Sequence, residues 1–258
     1  MRKPSPFARR ATPVLPASLA IAALAVGCGG DDEGEEPLVV SAASSLETAF
    51  TEYADEAGID AKQSFAGSDE LAAQIRQGVT PDVYAAADAS LPYELHAEGL
   101  VSEPVIFAAN TLAIGVPEDS EIRSIGDLAE PGVKIAIGAP SVPVGSYTRE
   151  VIGRLPGPEA EAILDNVRTQ EPEVAGIVGK LTQRAVDAGF VYATDVVAAE
   201  DAGLRAIRLP ASLQPGVAYG AAVVDGAENP EGAREFIEGL LEGDGAEALK
   251  RAGFLPPP

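Results

Sequence analysis

From residue 38 onward the chain alternates short β-rich runs with amphipathic stretches, and no other feature restricts its fold so strongly. Residues 38–42, 59–65 and 83–87 read as strands. Residues 46–57 read as a helix with Leu46, Ala49, Phe50 and Tyr53 on one face, and 91–98 as another. Leu71, Ala72 and Ile75 form the apolar stripe of a helix between the second and third strands, which stops at Gly78. Strands that alternate with helices pair in parallel, with helices on both faces of the sheet. Two long apolar runs, 105–116 and 217–224, break the rhythm and read as crossings between two lobes. Between them lies a second alternating set, with strands at 133–137, 189–192 and 204–209, a helix after Gly145-Ser146 and another over 173–186. After the late run come only helices, near 230–241 and 245–252. The result is an α/β chain of two lobes, each a mostly parallel sheet flanked by helices. One lobe takes 38–112 with 220–258, the other 113–219, and a small ligand belongs in the cleft between them.

Two stretches on successive strand–helix units look alike: Ser41-Ala42-Ala43-Ser44-Ser45-Leu46, and residues 64–71, Ser-Phe-Ala-Gly-Ser-Asp-Glu-Leu. In each, a strand gives way to small residues and then to a Ser ahead of a helix, so the Ser reads as an N-cap. Each is also a candidate anion seat. Backbone N–H groups of a first helical turn lack partners and sit at the positive end of the macrodipole. Parallel strands bring two such seats to one edge of the sheet. Asp69 and Glu70 directly follow Ser68, where acids are expected at a helix N-terminus for dipole reasons.

The N-terminus reads as a leader. Arg2, Lys3, Arg9 and Arg10 precede an apolar run over 14–26 and then Ala25-Val26-Gly27-Cys28. This resembles a lipoprotein signal peptide (1–27), with Ala25 where Leu is usual, and implies that Cys28 is lipidated. An exported, membrane-anchored lipoprotein at the cell surface or in the periplasm follows as the expectation. Cys28 is the one cysteine, so no disulfide within the chain is possible. Residues 28–37 are acidic and read as a self-repelling tether. Loss of the leader leaves 14 basic against 40 acidic side chains, a balance of −26 that argues against nucleic acid as a partner.

A secreted hydrolase is the rival from another class, with Ser68 or Ser146 as nucleophile. There is no Gly-x-Ser-x-Gly elbow, and the single histidine, His96, sits in a surface-helix pattern. No His/Cys spacing supports a cation site, and no nucleotide-binding glycine pattern appears. The expectation is a non-enzymatic binding protein without a cofactor.

Several blocks occur in one order: Ala42-Ala43-Ser44-Ser45-Leu46; Phe65-Ala66-Gly67-Ser68 with Leu71; Gly78-Val79-Thr80-Pro81-Asp82-Val83 followed by Ala87-Asp88; Asn110-Thr111-Leu112; Val142-Pro143-Val144-Gly145 with Tyr147; and Gly189-Phe190-Val191-Tyr192. With these, the chain from Leu38 onward resembles the extracytoplasmic molybdate-binding proteins of ABC importers, the ModA type. The resemblance implies a type II-like periplasmic-binding-protein fold, a monomer that delivers its ligand to an ABC permease, and molybdate or tungstate as that ligand. The alternative within the binding class is sulfate or another small oxyanion. The resemblance carries oxyanion contacts onto Ser45, Ser68, Val144, Val174 and Tyr192, with Ser44 as a possible addition. The metal enters only as the oxyanion.

Overall fold

The computed structural model describes residues 36–258, so the leader, Cys28 and all but the last two residues of the acidic tether lie outside the described residues. Strands β1 (Leu38–Ala43), β2 (Ala61–Ala66), β3 (Val83–Ala86), β4 (Val105–Asn110) and β10 (Val217–Val223) form one sheet in the order β2-β1-β3-β10-β4. Strands β5 (Leu112–Pro117), β6 (Ile135–Gly138), β7 (Val167–Glu171), β8 (Ala188–Tyr192) and β9 (Leu204–Arg208) form a second, in the order β7-β6-β8-β5-β9. β1 pairs in parallel with β2 and β3, as β6 does with β7 and β8. β10 opposes both β3 and β4, and β5 opposes both β8 and β9.

Each sheet is therefore mixed, with four strands aligned and one reversed. The reversed strands are the two that the chain enters on arriving from the other sheet. A chain that leaves the C-terminal edge of one sheet enters its neighbour at the facing edge and must run back from it. The C-terminal ends of the aligned strands consequently look onto one cleft, the usual seat of a ligand in open α/β sheets.

The run 105–116 divides at Thr111 into β4 and β5, which belong to different sheets. Asn110 causes the break: its Oδ1 accepts the Thr111 N–H at 2.8 Å, taking an amide that a continuous ladder would have used. The late run supplies β10 of the first sheet over Val217–Val223. The second crossing is completed before Val217, through a 3-10 turn at Ala211–Leu213. Gln214 ties the crossings together, its Nε2 donating to the Leu112 carbonyl at 3.0 Å.

Helix α1 (Glu47–Ala57) follows β1, α2 (Ser68–Arg76) follows β2, and α3 (Ser90–Ala97) follows β3. In the second set, α4 (Pro143–Gly153) begins ahead of the expected Gly145-Ser146, because a proline at the first helical position brings a suitable φ and needs no N–H partner. α6 (Val174–Thr182) stops short of residue 186, with Arg184 in the left-handed region at φ 55°. α5 (Gly157–Asp165), α7 (Ala193–Ala198) and edge strand β7 were not evident in the sequence pattern. α8 (Pro230–Leu241) and α9 (Asp244–Arg251) close the chain. Phe50 of α1 packs on Phe107 of β4 and Phe236 of α8, at ring separations of 6.0 and 5.3 Å. Each such buried ring contributes roughly 1.5–3 kcal/mol. This cluster holds the beginning and end of the chain in one core.

Candidate functional site

Ser45, Ser68, Val144, Val174 and Tyr192 line a single cavity, and Ser44 lines it with them. Its volume is about 20 Å³, counted as the space open to the centre of a water-sized sphere. That is on the scale of one or two water positions, room for a small ion and not for a sugar or peptide. The walls come from the C-terminal ends of β1, β2, β3, β6, β7 and β8, so both sheets contribute.

Neither first-sheet serine caps a helix as the sequence suggested. Gly67 holds the N-cap position of α2 and Ala43 that of the 3-10 turn Ser44–Leu46, without side-chain capping bonds in either. The hydroxyls are engaged at long range instead. Ser68 Oγ accepts the Ala87 N–H at 3.1 Å. A hydroxyl that has accepted from the protein keeps its own proton for another partner, and this one is buried at the cavity wall. Ser45 Oγ lies 3.0 Å from the hydroxyl of Tyr219, a fully buried side chain of β10 that sequence reasoning missed because a Tyr inside an apolar strand reads as core.

The second sheet supplies backbone groups and one phenol. Val144 and Val174 stand in the first turns of α4 and α6, where N–H groups have no partner within the helix. The approach of α4 to β6 is so close that a Cβ on Gly145 would stand 1.8 Å from the Ala139 carbonyl oxygen. Only glycine permits this turn. Tyr192 is 1 % exposed, and its hydroxyl has no hydrogen-bond partner among the described residues. Burial holds the phenols of Tyr192 and Tyr219 far above the usual tyrosine range, so both remain protonated donors at neutral pH.

Among the described residues no Lys or Arg lines the cavity, but one acid does. Glu173, the N-cap of α6, has its carboxyl raised above the usual range by burial, pulled back by the Ser44 hydroxyl and raised again by Glu70 and Glu47. Sequence reasoning passed over Glu173 and weighed Asp69 and Glu70 instead, neither of which lines the cavity. Behind the site, Asp195 is buried in the first turn of α7, where it accepts the Tyr192 N–H at 2.8 Å. Burial pushes its carboxyl up to about 7, against the opposing pull of that bond. His96 is elsewhere, its Nδ1 3.1 Å from the Val101 carbonyl oxygen, and Ser146 is not among the lining residues. Neither could serve chemistry at this cavity.

Residues 38–255 match the family model described as bacterial extracellular solute-binding protein. Among curated proteins, the molybdate-binding protein ModA of Mycobacterium tuberculosis is 33% identical over 236 residues, covering 88% of each chain. Among solved structures, the periplasmic molybdate-binding protein of Azotobacter vinelandii superposes with a TM-score of 0.75 at 21% identity, covering 86% of this chain and 100% of that one. The sulfate-binding protein SubI of Mycobacterium tuberculosis gives 0.73 at 16% identity, covering 85% and 86%. At these identities the two structures speak for the type II-like periplasmic-binding-protein fold alone. With the extent of the family match and the 33% identity, the chain belongs to the bacterial extracellular solute-binding proteins, as a ModA-type member, and so to a family of transport components and not of enzymes.

Proposed function

We propose that this chain captures molybdate, and tungstate with it, in the cavity between its lobes and delivers the anion to a membrane permease of the ABC class. The observation that carries this reading is the set of neutral donors: the Ser45 and Ser68 hydroxyls, the backbone N–H groups of Val144 and Val174, and the unpartnered Tyr192 hydroxyl all border one small cavity. Each charge-assisted bond from such a donor to an oxyanion is worth about 1.5–3 kcal/mol. Donors on both lobes reach one anion together only when the cleft is shut, so ligand closes the lobes about the two crossings. The balance of −26 on the mature chain opposes a dianion from afar, yet at physiological salt that field is screened over about 8 Å and local dipoles decide affinity. A cage of donors also rejects protonated oxyanions, whose O–H would meet another donor.

Titration calorimetry with molybdate, tungstate, sulfate and phosphate tests the reading. Tight binding of the first two, weaker binding of sulfate and the weakest of phosphate is expected, and Ser45→Ala and Ser68→Ala should each weaken molybdate about tenfold or more. Sulfate binding tighter than molybdate would overturn it. The same proposal places the protein outside the cell membrane, held by lipid on Cys28. Mass spectrometry of the mature N-terminus should find an acylated Cys28, and an unmodified Cys28 in membrane-extracted protein would refute the anchor.

A further inference from the structure

Ser45 is the end of a buried hydrogen-bond chain. Asn110 Oδ1 takes the Thr111 N–H at 2.8 Å, which fixes the orientation of the carboxamide. Its Nδ2 must therefore face the other way, where it lies 2.9 Å from Thr194 Oγ1 and 3.4 Å from the Tyr219 hydroxyl. An amide nitrogen only donates. The Tyr219 hydroxyl lies 3.0 Å from Ser45 Oγ, and either oxygen could donate in that bond taken alone; a Tyr219 that accepts from Asn110 has its proton to give to Ser45, which then keeps its own proton for the cavity. Asn110, Thr194 and Tyr219 are all buried, so water does not offer these groups alternative partners. The chain also joins the lobes, since Asn110 ends β4, Tyr219 lies in β10 and Thr194 stands in α7 beside Tyr192.

We propose that Asn110 and Tyr219 are positioning residues that polarise Ser45 as an obligate donor, and that this relay sets the selectivity of the cavity for fully deprotonated oxyanions over protonated ones such as hydrogen phosphate. The inference rests on the oxyanion-binding reading above. Without the relay, the Ser45 hydroxyl is free to turn and accept, and an anion that carries a proton then finds an acceptor.

Asn110→Asp reverses the chain at nearly constant shape. The carboxylate, facing the Thr111 N–H and two hydroxyls, only accepts, so Tyr219 turns its proton toward residue 110 and Ser45 loses its donor. Tyr219→Phe cuts the chain at its middle. Both variants and the parent are titrated with molybdate and with inorganic phosphate near pH 8, where both ligands are dianions and an added charge affects them alike. Weaker molybdate binding is expected, with a molybdate-to-phosphate preference at least about tenfold lower than the parent's in both variants. A merely structural role would weaken both ligands together and leave the preference intact. An unchanged preference in Tyr219→Phe overturns the relay, whether or not Asn110→Asp folds. Failure of the parent to bind molybdate in the same titration would instead overturn the proposed function, and the relay with it.

Discussion

Gly67 offers a direct test of whether the cavity is assembled by two lobes that come together. It precedes Ser68 at the N-cap of α2, with φ −63° and ψ 134°, angles that alanine adopts without strain. A Cβ added there would stand 2.5 Å from the carbonyl oxygen of Pro172, which belongs to the other lobe in the segment just before Glu173 and Val174. Ordinary contact begins at 3.4 Å, so Gly67→Ala is short of room by 0.9 Å. If the lobes back off by that amount, a donor of the second lobe near 2.9 Å from the anion retreats to about 3.8 Å, beyond hydrogen-bond range.

Loss of one to two charge-assisted bonds at about 1.5–3 kcal/mol each amounts to roughly ten- to ten-thousandfold weaker molybdate binding. Thermal stability without ligand should hold or rise, because alanine at a compatible angle restricts the unfolded chain by about 0.4–1 kcal/mol. Calorimetric titration and a melting curve on the same sample separate the two effects. Parent-like affinity would refute the reasoning. So would a sharp loss of ligand-free stability, which would make the contact a fixed part of the core and not a contact between lobes that part.

Three further outcomes follow from the site. Tyr192→Phe removes a cavity hydroxyl that has no partner among the described residues, so molybdate binding should fall about tenfold or more while ligand-free stability holds; the melting curve with ligand should therefore drop and the one without ligand stay at the parent's. Glu173→Gln should tighten binding severalfold at pH 7, since a carboxylate at the cavity opposes an anion. In the parent, affinity should rise as pH falls from 7 toward the raised Glu173 value, with proton uptake on binding seen as a buffer-dependent heat that the Gln variant lacks. Asp195 has a folded value of about 7 against an ordinary 3.8, so the folded state holds the extra proton between these limits. Its contribution to stability is complete below about pH 4 and is lost as pH rises through 7. Asp195→Asn should flatten that fall, and parallel stability–pH curves for variant and parent would contradict it.

The parts of this molecule legible in its sequence are those whose determinants are local. Alternation of strand and helix patterns places most elements, and the two serines announce themselves where a β-rich run meets small residues and then a leucine-bearing helix. Their role as caps was a local inference too, and it failed because the partners are distant: Ser68 meets the amide of Ala87, and Ser45 meets Tyr219, 174 residues away. The division of the run 105–116 turns on whether Asn110 spends its oxygen on its own neighbour's amide, which hydropathy does not register. β7, Val-Arg-Thr-Gln-Glu, has one apolar residue because an edge strand needs little more. Glu173 escaped notice because a single acid before a helix is ordinary capping chemistry, and only the fold brings it to the same cavity as the serines.

An acidic chain that holds a dianion without a cation raises the question of where selectivity comes from, and the hydrogen-bond inventory bears on it. A Lys or Arg would attract sulfate, phosphate and molybdate almost alike, since its strength lies in charge. Neutral hydroxyls are weaker but directional, and a hydroxyl donates or accepts as its surroundings require. Ser68 is committed by the backbone amide of Ala87 and Ser45 by the Asn110–Tyr219 chain, while Tyr192 has no acceptor among the described residues. Each hydroxyl thus has its proton to offer the cavity. Glu173 completes the logic from the opposite side. A carboxylate at the rim lowers affinity for every anion, so the bound species must recover that loss through the full set of directed bonds, which an oxyanion carrying a proton cannot form. Selectivity against protonated oxyanions is then set by the direction in which the cavity's few protons point, and the choice among fully deprotonated ones is left to its size.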